Sequence, residues 1–262
     1  MRSSNPVLTR LTPETTHTGY PPSAGYAQQT DYYSSPVTST ASDRLTIDDV
    51  VVRTVSLLAL TGVSAFLAVL LVPQRIAGGV WVGAGLIGLV LGLIISFRRI
   101  TNPPLILAYA VVEGVFVGMI SSAYERAFDG IVIQAAAATF GIFLIMTALY
   151  KFRVIRATPR FARGLIAAVA GVFGIILVNF ILSLFGINTH LRDGSGLAIV
   201  FSLVVIVIAA LTFILDFDLI ETSIAQGAPK RMAWTCAFGL LVGLIWVYLE
   251  VLRLLSYLRG RN

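Results

Sequence analysis

The chain has 262 residues, 57% hydrophobic and 12% charged, with a formal net charge of +6 and a mean hydropathy of +0.88. A soluble domain carries about a quarter charged residues, so this composition leaves too little polar surface for water and excludes an ordinary soluble globule. The positive balance does not imply a nucleic-acid partner, because the basic residues sit in short loops between apolar blocks.

Residues 1–45 differ from everything that follows. They are rich in Pro, Ser, Thr, Gly and Tyr without an apolar period, and such a segment cannot bury enough surface to offset its chain entropy. A disordered cytoplasmic tail is expected there, serving as a tether. It has no compact basic region followed by an apolar core of the signal-peptide kind.

Order is expected from Thr46, where "TIDD" offers a threonine cap with Asp49 three residues on. Apolar blocks of spanning length, roughly 17–25 residues, then predict helices over 51–72, 77–97, 104–123, 131–150, 164–186, 196–217 and 233–256. Punctuation separates them: Pro73, Pro103 with Pro104, Gly130, Pro159, Gly186 to Gly196, then Gly227 and Pro229. The fold class is therefore all-α, a polytopic bundle of seven transmembrane helices over 46–258 with the lipid bilayer as its solvent.

Lys and Arg set the orientation. One set of alternate loops holds nine (Arg98, Arg99, Lys151, Arg153, Arg156, Arg160, Arg163, Lys230, Arg231), the other three (Arg75, Arg126, Arg192). That bias places the N-terminus in the cytoplasm. Seven crossings then put the C-terminus outside, against the pull of Arg253, Arg259 and Arg261. The seventh segment is either short of a full crossing or buried among the others. Glycines recur at four-residue spacing (79/83, 88/92, 114/118, 239/243), which lets helices approach closely, within one chain or between two.

Four acids lie in or beside the apolar spans: Glu113, Asp216, Asp218 and Glu250. Such residues mark pathways or relays when they are not merely at an interface. Asp216 and Asp218 are about 200° apart around a helix, so only one faces inward. Asp216 is taken as that one, with Asp218 and Glu221 nearer the headgroups; the alternative is a helix end lying in the polar interface. Arg53, Arg98 and Arg99 lie at the same depth and are its candidate partners. A carboxylate whose charge depends on pH and on an arginine latch can act as a gate. Glu113, mid-span, must be protonated, paired or facing an aqueous cavity. Glu250 and Arg253 form an i,i+3 pair on one face, and Asn179 and Thr212 are expected to hydrogen-bond between helices.

Chemistry of the enzymatic kind finds no support. Ser195 and His190 share one short outer loop with no base on a neighbouring span, and no Walker loop or HExxH occurs. No catalytic, cofactor or metal residues are assigned. The single cysteine, Cys236, rules out a disulfide framework. A tight calcium site wants six to eight oxygens, so any calcium contact would be transient, as conduction requires.

The stretches "NPPLILAYAVVEGVFVG", "LDFDLIE" and "WTCAFGLLVGLIWVYLEVLRLL" together resemble the Bax inhibitor (transmembrane Bax inhibitor motif) family, in particular its bacterial branch, over roughly 50–258. The resemblance implies a seven-helix bundle with the last helix central, in a bacterial cell membrane. It also implies a pH-sensitive calcium or cation leak channel, closed on the cytoplasmic side by an aspartate pair linked to an arginine. Asp216 matches the first aspartate. The second falls near Gly243, where this chain has no acid, so a two-carboxylate latch cannot form there and the pH response should be altered or absent. The alternative is a regulator acting by contact on a membrane protease or stress pathway, without conduction.

Overall fold

A computed structural model describes residues 44–98, 101–186 and 194–260. The tail expected over 1–45 lies outside these except for Arg44 and Leu45, as do Arg99, His190, Arg192 and Arg261. The described chain forms seven helices: α1 (Ile47–Leu71), α2 (Gln74–Arg98), α3 (Pro103–Ala127), α4 (Ile131–Lys151), α5 (Pro159–Leu184), α6 (Gly196–Ala225) and α7 (Met232–Arg259). All seven are long and apolar enough to cross a membrane, which makes the protein an integral membrane protein.

Local chemistry sets the helix ends. Thr46 accepts the Asp49 amide and donates its hydroxyl proton to Oδ2 of the same residue at 2.8 Å, which is the anticipated cap. Helix α5 begins at Pro159, five residues earlier than the apolar run suggested, because Thr158 caps it and proline suits the first turn. Helix α6 runs on to Ala225, eight residues past its expected end, and stops where Gly227 takes a left-handed backbone (φ 66°). At 30 residues it is about 45 Å long. Asp216 therefore sits inside a continuous helix, nine residues before its end, rather than at a fraying terminus.

Helix α7 is the axis of the bundle. Its most apolar stretch is 67% buried, against 39% or less in every other helix, and it packs on α1, α3, α4 and α6. At 28 residues it is full length, so the seventh segment is both a complete span and an enclosed one. Its basic C-terminal side chains have protein partners: Arg253 pairs with Glu250, and Arg259 donates to the Asp129 carbonyl at 2.7 Å and to Gln134 at 2.8 Å.

Three of the four glycine pairs are spent on packing within the chain. On α3, Gly114 lies against the Thr61 carbonyl and Ser64, and Gly118 against the backbone of Ala65. Thr61 and Ser64 each donate to a carbonyl across this contact, of Ala110 (3.2 Å) and Val111 (2.6 Å). Gly85, Gly88 and Gly92 of α2 admit Phe116, Glu113 and Tyr109 of α3, one opposite another in antiparallel register. Gly79 and Gly83 have no non-local neighbour within 4 Å of a would-be Cβ.

Candidate functional site

The seam between α6 and α7 is built from residues spaced one turn apart. Gly239 and Gly243 on α7 leave room for Asp216 and Phe213 on α6: a Cβ at 239 would lie 3.3 Å from Asp216 Oδ1, and one at 243 would lie 2.8 Å from the Phe213 ring. Asp216 is half-buried, and no hydrogen bond or ion pair engages it among the described residues. Thr235 lies four residues before Gly239 on the same stripe of α7, and its hydroxyl is buried without a hydrogen-bond partner among the described residues. Buried polar atoms of this kind call for an explanation.

Aromatic rings flank the acid. Phe143 of α4 meets Phe213 edge-on at 5.2 Å and Phe217 at 5.7 Å, and Tyr150 meets Phe217 at 5.5 Å. The series ends where the Tyr150 hydroxyl donates to Glu221. Sequence reading left Glu221 as an interfacial acid and did not foresee its tyrosine, because nothing in linear spacing pairs α4 with α6.

Neither Arg53 nor Arg98, the candidate arginines among the described residues, is joined to Asp216. Arg53 is held by Asp49, through an ion pair at 3.4 Å and a bond to its carbonyl at 3.1 Å, and its guanidinium lies 5.4 Å from the Trp234 ring centroid. Lys230 reaches the same Asp49 at 3.1 Å. Arg98 is exposed at the end of α2 and Arg99 lies outside the described residues. For Arg53 the first turn of α1 supplies a nearer carboxylate, Asp49, which also serves the helix cap. Together with the Leu45 amide, which donates to the Ala228 carbonyl at 2.8 Å, these contacts pin the start of α1 to the α6–α7 loop.

Glu113 is buried (8% exposed) between α2 and α3, its carboxylate against Gly88, with Tyr109 one turn away as its polar neighbour. Tyr109 in turn meets Phe238 of α7 edge-on at 4.9 Å. Glu113 and Asp216 make no contact with each other among the described residues, and the Tyr109–Phe238 contact joins α3 to α7 beside Glu113. Asp218 is half-buried two residues on, about half a turn around α6 from Asp216. Glu250 and Arg253 pair as the spacing implied, with one guanidinium nitrogen donating to both carboxylate oxygens at 2.7 and 2.8 Å. Thr212 bonds its own helix, at the Ala209 carbonyl, instead of a neighbouring one. Ser195 accepts the Ala198 amide as the cap of α6.

Phe213 occupies the room an acid at position 243 would need. Gly243→Asp is expected to lower stability by about 1–3 kcal/mol, the scale of overpacking. In a double-mutant cycle with Phe213→Ala the two changes should couple favourably by about 1 kcal/mol. Independent, additive losses in thermal unfolding would show that the ring is not the obstacle.

No curated protein matches the chain. A family model described as Bax inhibitor 1 like, however, matches residues 5–260, nearly the whole length, and the chain belongs to the Bax inhibitor 1-like family.

Proposed function

We propose that the protein is a cation leak pathway that passes calcium and is gated where Asp216 meets the α6–α7 seam, at the cytoplasmic side of a bacterial cell membrane. The observation that carries this reading is a half-buried carboxylate with no ion-pair partner, seated on glycine at the central helix. An unpaired acid at membrane depth is costly, and an unpartnered Thr235 hydroxyl on the same stripe suits a wetted route better than a dry seam. Asp218, half a turn further toward the helix end, would meet an ion on the cytoplasmic side, and Glu113 would act through α3 packing. With glycine at 243, the pH response differs from that of two carboxylates sharing a proton.

Purified protein in liposomes is expected to admit calcium. Asp216→Asn removes one negative charge, worth about 1–4 kcal/mol to a unit charge at 4 Å, and should lower the initial rate about tenfold or more. Rates equal to those of protein-free liposomes, for the parent and the variant alike, would sink the proposal. A second reading, a regulator acting by contact on a membrane protease or stress pathway, is favoured by the docking of Leu45 on the α6–α7 loop, which sets the start of α1 against a loop carrying Lys230 and Arg231. Deleting residues 1–43 would then abolish activity in cells and leave flux intact.

A further inference from the structure

We propose that the fissure between α1 and α4 is a binding site for an acidic phospholipid, with an acyl chain between the helices and the headgroup at Lys151. Both helices pack on α7 but make no substantial contact with each other, which leaves a cleft of about 630 Å³. Val51 and Val55 form one wall, Phe140 and Leu144 the other, and Leu240 and Leu244 of the central helix the floor. The two threonines in the walls have no proton left to donate to an occupant, since Thr54 donates to the Val50 carbonyl (2.8 Å) and Thr147 to that of Phe143 (2.7 Å). The interior therefore suits hydrocarbon.

Charge decides what kind of hydrocarbon-bearing molecule fits. The mouth lies at the ends of α4 and α6 and the start of α1. Lys151 stands there exposed, with no ion pair among the described residues, and Arg153, Arg156, Arg160 and Arg163 follow it. Four acids lie near the mouth: Glu221, whose carboxylate accepts the Tyr150 proton, Asp218 beside the same tyrosine, and Asp48 and Asp49 in the first turn of α1, the last already paired with Arg53 and Lys230, which add to the basic side. The cations outnumber them, and a basic cluster at the membrane surface attracts anionic lipid by about 1 kcal/mol per residue. A lipid with no net charge would satisfy the walls and leave Lys151 unmatched.

The test is native mass spectrometry of the full chain in mild detergent, supplied with phosphatidylglycerol or phosphatidylcholine. Phosphatidylglycerol adducts are expected to persist in about fivefold excess, and Lys151→Ala should erase that preference. Leu144→Trp, on an exposed wall, should remove the adduct with the unfolding temperature unchanged, and Val51→Trp should do the same from the opposite side. Equal retention of the two lipids, or phosphatidylglycerol adducts that survive both tryptophan variants, would overturn the assignment. None of these readouts depends on calcium flux.

Discussion

Gly118→Val should be among the most damaging single substitutions in this protein, lowering stability by about 3 kcal/mol or more. A side chain at 118 would be driven into the Ala65 carbonyl, carbonyl carbon and Cα. These are backbone atoms of a helix that cannot rotate away as a side chain could. Separating α1 from α3 would also break the Thr61 and Ser64 hydrogen bonds, which close the same contact. Gly83→Val is the matched control: nothing lies within 4 Å of a Cβ there, so its effect should stay within about 0.5 kcal/mol. Thermal unfolding in detergent, followed by tryptophan fluorescence, separates the two. Equal losses at 83 and 118 would mean that glycine matters here for some reason other than helix approach.

Removing Arg253 should be comparably severe. Glu250 is 2% exposed, and both of its oxygens depend on one guanidinium nitrogen. Arg253→Met leaves that carboxylate enclosed and unpaired, a situation that costs about 3–5 kcal/mol in protein interiors. The double variant Glu250→Met, Arg253→Met should recover most of the loss, because a buried ion pair replaced as a unit by apolar groups is close to neutral. If the double variant is as unstable as Arg253→Met alone, the pair matters through packing of its stems rather than through charge.

The architecture was legible because hydrocarbon length and helix punctuation are local. Pro73, Pro103 and Gly130 mark breaks that no helix crosses, and the apolar blocks between them can be counted. The errors at α5 and α6 share one cause. Hydropathy reports where a chain becomes apolar, whereas the helix ends at its capping groups, Thr158 in one case and Gly227 in the other. The site was only half legible. Spacing alone places Asp216 and Asp218 on different faces, and Glu250 with Arg253 on one. It cannot say that Gly239 covers Asp216, or that Gly88 rather than Gly79 is pressed against a neighbour. Each depends on the register of two helices far apart in sequence, and periodicity within one helix carries no information about that register.

The central position of α7 also bears on how the molecule is made. Chains emerge from the ribosome N-terminus first, so the helix around which α1, α3, α4 and α6 assemble is the last of the seven to arrive. Until it does, the inner faces of those four have no lasting mate, and Phe213, Leu57 and Ile106, fully enclosed in the finished bundle, face lipid or one another. Completion of the core is then a post-synthetic event, and a nascent chain halted in the α6–α7 loop would keep its α1–α3 and α2–α3 contacts but lack the centre around which they close.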